Sequence, residues 1–149
     1  MAHNAVPAFC KNGSLGTPKT LSALNASATG SGTIGTDIFN IFAADATNGS
    51  WVENVRLMPT ATGSVTLAAT VIRIFASSIA SGATTATDTH LLAEVALAGT
   101  GAASASAAAN AVDIPLQFRL PAGWTILATT AVTPAANSGW RAVAMGGDY

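Results

Sequence analysis

The chain has 149 residues, of which 50% are hydrophobic but only 9% are charged, and its net charge is −1. A typical soluble domain carries about 25% charged residues, so this surface is unusually poor in charge. The length predicts one domain. The charge excludes a nucleic-acid-binding module, a charged coiled coil and an acidic tail, and the hydrophobic share excludes a disordered chain.

Small side chains account for much of the hydrophobicity, since alanine alone contributes 33 residues. No apolar run reaches 18 residues, so we expect neither a transmembrane helix nor a membrane partner. The start of the chain lacks the features of a secretory signal, and the single cysteine, Cys10, excludes an internal disulfide. The low charge favours permanent assembly with other protein, although Thr, Ser and Asn alone could keep the surface hydrated.

Residues 1–32 carry scattered apolar side chains without a sustained period, together with Pro7 and Pro18. This pattern predicts an extended N-terminal arm, and Phe9, Leu15 and Leu21 are its candidate contact residues. A frayed terminus is the alternative.

From residue 33 onward, β-branched and aromatic segments alternate with Gly- and Pro-containing turns. The pattern predicts about seven strands and hence an all-β sandwich or barrel over residues 33–149. The predicted strands are 33–42, 51–58, 65–75, 89–97, 113–120, 124–132 and 139–145. A short helix is the alternative for residues 89–97.

The cleanest alternation lies in residues 113–120, where Ile114, Leu116, Phe118 and Leu120 share one face. Because proline has no N–H to donate, Pro115 predicts a position at a sheet edge. The turn at 121–123 is followed at once by the next apolar segment, so the two strands are predicted to form a hairpin.

Motifs that could carry chemistry are weak in this chain. Residues 30–35 match G-x-G-x-x-G, but no strand–turn–helix unit surrounds them, so a hinge between arm and body is favoured over a phosphate site. Asp88 and His90 could share a strand face, but two ligands are too few for a metal site. We expect no cofactor and no catalytic residues.

Aromatic and basic residues recur inside or at the start of the predicted strands. Trp51, Trp124 and Trp140 are candidate interface anchors, with a core role as the alternative. Four arginines, at positions 56, 73, 119 and 141, lie within strands. Pairing with Glu53, Glu94 or Asp113 would form bridges between strands or subunits, and ordinary solvent-facing arginines are the alternative.

Two segments of the final third carry a resemblance: IPLQFRLPAGWTILAT at residues 114–129 and WRAVAMGGDY at residues 140–149. They resemble small virion proteins of tailed bacteriophages, which often end in a short Gly-Gly-Asp-Tyr-like tail. The Leu-Pro-Ala-Gly turn followed by an aromatic residue is similar to the last hairpin of trimeric jelly-roll domains.

The resemblance implies a jelly-roll-like antiparallel β-sandwich with an extended N-terminal arm. It also implies a homotrimer that binds the major capsid protein. Such a non-enzymatic decoration, or cement, protein is made in the bacterial cytoplasm and lies on the outer surface of the phage head. A tail-tip, baseplate or fibre component is the first alternative. A carbohydrate-binding β-sandwich or a small hydrolase is the second.

Overall fold

A computed structural model of the chain describes residues 12–61, 65–103, 111–136 and 138–149, which form thirteen strands and no helix. The all-β prediction is confirmed. The strands are β1 (Asn12–Leu15), β2 (Lys19–Leu21), β3 (Gly32–Thr33), β4 (Phe39–Ala43), β5 (Ser50–Ala61), β6 (Val65–Leu67), β7 (Thr70–Ser77), β8 (Ala83–Thr84), β9 (Thr89–Leu97), β10 (Thr100–Ala103), β11 (Val112–Leu120), β12 (Thr125–Thr130) and β13 (Ser138–Asp148).

Two antiparallel sheets form the layers of a sandwich. Sheet I has the order β1–β13–β5–β11, and β2 also pairs with β13. Sheet II has the order β4–β12–β7–β9. Two short ribbons, β3–β8 and β6–β10, complete the described strands. The core lies between the sheets, where each fully buried Ile or Leu side chain contributes about 1.5–3 kcal/mol.

Strand β12 is buried along its whole length because sheet II is covered on both faces. Ile126 and Ala128 face sheet I, whereas Leu127 joins Phe75 and Ile38 in a second apolar cluster on the other face. The segment before β4 supplies the cover for this second cluster. Ile126, Leu127 and Ala128 form an unbroken apolar run, which is typical of a strand with two covered faces.

The N-terminal region differs from the predicted separate arm wherever the structure describes it. Strands β1 and β2 pair with β13, and Leu21 is fully buried in the core. The segment that follows lies over sheet II, where the backbone N–H of Asn25 donates to the Thr130 carbonyl at 2.8 Å. Residues 12–32 are therefore part of the sandwich, and Phe9 lies outside the described residues.

The predicted hairpin between residues 113–120 and 124–132 is wrong. Strand β11 pairs with β5 in sheet I, whereas β12 pairs with β4 and β7 in sheet II. The turn at Pro121–Gly123 therefore carries the chain from one sheet to the other, with Gly123 at φ +74°. Every residue of β12 is buried, which requires a paired strand on each side and cover on both faces. The centre of sheet II provides both, whereas a hairpin with the edge strand β11 would not.

Other strand predictions are confirmed with changed boundaries. Residues 89–97 form a strand rather than a helix, and the alternation in β11 puts its apolar residues inward. Among the described strands β11 pairs only with β5, so the edge position predicted from Pro115 is also confirmed. The predicted strand 65–75 is interrupted at residues 68–69, and 33–42 contains only the end of β3 and most of β4.

Candidate interaction surfaces

Two of the predicted interface residues belong to the core. Leu21 and Trp140 are register partners on β2 and β13, with 0% and 5% of their surfaces exposed. Pairing between β2 and β13 buries both side chains against sheet II, so neither is presented to an outside partner in the folded chain.

The other two tryptophans are half-buried at the same end of the sandwich. Trp51 lies on the outer face of sheet I, directly across from Arg119. Trp124 follows the turn between the sheets and packs against the main core, and its ring stacks on His90 at 5.8 Å. Trp124 is thus the predicted anchor that combines core packing with partial exposure next to an edge strand.

Large apolar side chains remain exposed on several strands. Leu15, on β1, has 68% of its surface exposed. It adjoins a groove of about 350 Å³ between the β1–β2 connection and β4. The exposed large apolar side chains of the described residues are Leu15, Leu24, Met58, Leu91, Leu92 and Val132.

Two of the four strand arginines form ion pairs across strands, which is one of the two alternatives that the sequence left open. Arg56 on β5 binds its register partner Asp113 on β11 through two hydrogen bonds of 2.8 Å. Arg73 on β7 binds its register partner Glu94 on β9 at 2.7 Å. Hydrogen bonding from the Arg56 guanidinium lowers the pKa of the Asp113 carboxyl below its ordinary value.

A turn cluster joins the segment before β5 to the end of β13. The Asp45 carboxylate accepts hydrogen bonds from the Asn48 and Thr47 amides, which lower its pKa. Ser50 donates to Asp148 at 2.5 Å. These bonds hold the Gly-Gly-Asp-Tyr segment against the body of the sandwich.

Arg119 links this turn cluster to the edge strand β11. Its guanidinium lies 5.0 Å from the Tyr149 ring centroid and donates to the Asn48 carbonyl at 3.0 Å. The third strand arginine is therefore fixed by the turn and the aromatic ring.

The G-x-G-x-x-G segment at residues 30–35 packs closely on sheet II. Thr84 donates to the Gly30 carbonyl at 2.7 Å, and Thr89 donates to the Thr29 carbonyl at 2.6 Å. A side chain at Gly30 would collide with Thr89 and Phe75. The segment contains the two-residue strand β3 and is followed by strand β4, so the helix start that a phosphate site needs does not follow it.

The chemistry considered for Asp88 and His90 is not assembled by the described residues. Asp88 accepts a hydrogen bond from Thr85, whereas His90 stacks on Trp124. No group of three potential metal ligands occurs within the described ranges. Among those same residues, no helix is long and apolar enough to cross a membrane.

One candidate surface was missed by sequence reasoning: the side of the sandwich where β9 and β11 lie, here called the β9–β11 side. Strand β4 contacts β13 and β2, which places β9 and β11 together at the other side. Their inward side chains pack against the core but are only partly buried: Ala93 and Val95 on β9, and Val112, Ile114, Leu116 and Phe118 on β11. The apolar alternation of the two strands is visible in the sequence. Their shared position, at the sheet edges on one side of the sandwich, is not.

No model of a known protein family matches this chain, and no curated protein is significantly similar to it in sequence.

Proposed function

We propose that this chain is a non-enzymatic structural protein of a tailed-phage virion, and specifically a capsid decoration protein of the jelly-roll type. It acts as a homotrimer that binds the major capsid protein on the outer surface of the head. The observation that carries the proposal is the combination of a charge-poor β-sandwich with six large apolar side chains that are exposed among the described residues. Such a surface favours docking on other protein over solvation as a free monomer.

The internal use of charge supports the same function. Arg56, Arg73 and Arg119 are held by Asp113, Glu94 and the Asn48 carbonyl, respectively. Lys19 and Arg141 are the other Lys and Arg side chains of the described residues, which is too few for a basic patch that attracts nucleic acid. A decoration protein needs this property, because it binds an assembled shell through many modest contacts and stabilises that shell by mass action.

The copy number per particle tests the proposal and separates it from the tail alternative. Quantitative mass spectrometry of purified phage particles that carry the chain would give its ratio to the major capsid protein. We expect a ratio of the order of one. A ratio far below one would indicate a tail-tip, baseplate or fibre component, and complete absence from particles would overturn the virion role.

The carbohydrate alternative requires an exposed aromatic platform. In the described residues Trp140 is buried, Trp51 is half-buried and Trp124 is stacked on His90. A glycan array should therefore show no binding by the wild-type protein, and specific binding lost on Trp124→Ala would favour the carbohydrate-binding module instead.

A further inference from the structure

We propose that Asn12, at the start of β1, is a site of spontaneous deamidation in the folded protein, and that the turn at Asn48 and Gly49 protects the second Asn-Gly sequence of the chain. The product at position 12 is an aspartate or an isoaspartate. This modification is independent of a role in a virion, because it is argued from the backbone geometry of two segments of the single chain.

The sequence contains Asn-Gly at residues 12–13 and again at residues 48–49. In this dipeptide the glycine backbone nitrogen attacks the side-chain carbon Cγ of the asparagine, and glycine has no Cβ to obstruct the approach. The N–Cγ bond forms, the Cγ–Nδ2 bond breaks, and Nδ2 leaves as ammonia with the proton from the glycine nitrogen. Water then opens the succinimide at either carbonyl, which gives aspartate or isoaspartate. The reaction therefore needs an available glycine N–H and a backbone that can leave its folded conformation.

The ladder between β1 and β13 leaves the nucleophile at Gly13 available. The Gly16 N–H donates to the Ala144 carbonyl at 2.9 Å, so position 16 is a hydrogen-bonded position of this antiparallel ladder. Hydrogen-bonded and non-hydrogen-bonded positions alternate, which makes Gly13 a non-hydrogen-bonded position. Its N–H points away from β13, towards the edge of sheet I, where β1 has no second neighbour among the described strands.

The backbone at Asn12 and Gly13 also has room to rotate. Both residues are exposed, and they begin an edge strand of four residues. A Cβ built on Gly13 meets no atom within 4 Å. The end of an edge strand opens at a small free energy, since few contacts must break. Asn12 can thus reach the geometry of attack by local opening, without unfolding of the sandwich.

The turn cluster opposes the same rearrangement at Asn48. The Gly49 N–H, which is the nucleophile there, donates to the Asp45 carbonyl at 3.1 Å. The Asn48 N–H donates to the Asp45 carboxylate at 2.6 Å, and the Asn48 carbonyl accepts a hydrogen bond from Arg119 at 3.0 Å. A Cβ at Gly49 would collide with the Leu120 carbonyl. Attack at Asn48 therefore requires several hydrogen bonds to break together in a closely packed turn.

Deamidation at position 12 changes the pairing of β1 with β13. The register partner of Asn12 is Asp148, so a new carboxylate at position 12 faces an existing one. Like charges directly opposite each other destabilise an antiparallel pair. An isoaspartate also lengthens the backbone by one atom, which disturbs the register of the strand. Both products weaken the attachment of β1 to sheet I.

The two Asn-Gly sequences are controls for each other, because serine follows the glycine in both. The full chain would be incubated in mildly alkaline buffer, with or without concentrated guanidinium chloride, and digested with pepsin in acid. Mass spectrometry would follow the conversion of amide to acid at each site. In the folded protein we expect Asn12 to react at least about tenfold faster than Asn48, because an edge strand opens more often than a hydrogen-bonded turn. In guanidinium the two rates should agree within about twofold, since neither site keeps its native hydrogen bonds.

Three results would overturn the proposal. The first is an equal rate at the two sites in the folded protein. The second is a folded protein that modifies neither site although both react in guanidinium. The third is a tenfold difference that persists in guanidinium, because local sequence and not the fold would then set the rates.

The variant Asp45→Ala tests why Asn48 is protected. It removes the carboxylate that accepts hydrogen bonds from the Thr47 and Asn48 amides. We expect Asn48 to react at least about threefold faster in this variant, with the rate at Asn12 unchanged. An unchanged rate at Asn48 would contradict the protective role of the turn.

The variant Asn12→Asp tests the effect on β1, and Asn12→Gln is its matched control because it keeps an uncharged amide at the same position. Hydrogen exchange at the amides of residues 12–15 should be faster in Asn12→Asp, and the difference should diminish in high salt. Equal exchange in the two variants would refute the predicted loss of pairing.

Discussion

At the scale of single residues, close backbone approaches are the sharpest constraints in this structure. Gly16 lies where the connection between β1 and β2 crosses β4, and its amide donates to the Ala144 carbonyl at 2.9 Å. A Cβ atom at this position would overlap the carbonyl oxygen of Ile41. The Gly16 position therefore determines how closely the N-terminal strands pack against sheet II.

We predict that Gly16→Ala lowers the free energy of unfolding by more than about 2 kcal/mol, because either backbone must move to relieve the overlap. Urea denaturation would measure the change. Gly13→Ala is the matched control on β1, since a Cβ at Gly13 meets nothing within 4 Å. It should change stability by less than about 0.5 kcal/mol. Equal effects at the two positions would contradict the close approach.

The Arg56–Asp113 pair predicts a dependence of stability on pH. Since the pKa of Asp113 is lowered in the folded chain, its contribution is present above the ordinary carboxyl value of 3.8 and is lost as pH falls through the lowered pKa. We expect Asp113→Asn to destabilise the protein at pH 7 and to differ less from the wild type in strong acid.

The comparison would use urea midpoints at low ionic strength. Both side chains of the pair are more than 40% exposed, so the effect should be small and should diminish in about 1 M salt. A difference between wild type and Asp113→Asn that grows on acidification would refute this assignment of the pair.

At the scale of elements, the local sequence of β11 determines its buried face and its edge position, but not the strand with which it pairs. Its alternation predicts the buried face, and Pro115 predicts its edge position. Its partner is not encoded locally, because a short Pro-Ala-Gly turn suits a hairpin and a crossing between sheets equally well. The burial of every residue in β12 depends on segments distant in sequence, and this is why the sheet assignment was wrong.

At the bulge in β11, glycine should be tolerated better than valine, which is the reverse of the order expected at a regular strand position. Gln117 adopts φ +53°, where glycine is favoured and β-branched residues are strained. We predict that Gln117→Gly changes stability by less than about 0.5 kcal/mol, whereas Gln117→Val costs at least about 1 kcal/mol.

Met58, a 46% exposed residue in the unbroken part of the register between β5 and β13, provides the matched position. Strand preference applies there, so Met58→Gly should cost about 1 kcal/mol and Met58→Val should be tolerated. Thermal or urea unfolding of the four variants would show the inversion. The same order at both positions would mean that Gln117 does not hold a left-handed conformation.

At the scale of the whole molecule, the N-terminal region is where sequence reasoning fell short. Strand β2 has only three residues, too few to show a period, and its one large apolar side chain is surrounded by polar neighbours. Leu21 is buried only because β2 pairs with β13, more than a hundred residues away. The candidate anchors were likewise chosen by residue type, which does not separate a core tryptophan such as Trp140 from a surface one.

We predict that Leu21→Ala lowers the free energy of unfolding by about 2–5 kcal/mol, as expected for a cavity in a packed core. Leu15→Ala, six residues earlier and 68% exposed, should cost less than about 1 kcal/mol. Calorimetry of the two variants would compare them. If Leu21→Ala were as mild as Leu15→Ala, residues 12–21 would be an arm after all.

The pairing of β13 also determines when this protein can fold. Strand β13 joins β5 on one side to β1 and β2 on the other, so sheet I lacks its centre until residues 138–148 have been synthesised. Contacts that distant in sequence form slowly. The nascent chain on the ribosome therefore holds an incomplete sheet until β13 emerges, and the sandwich is completed only after that point.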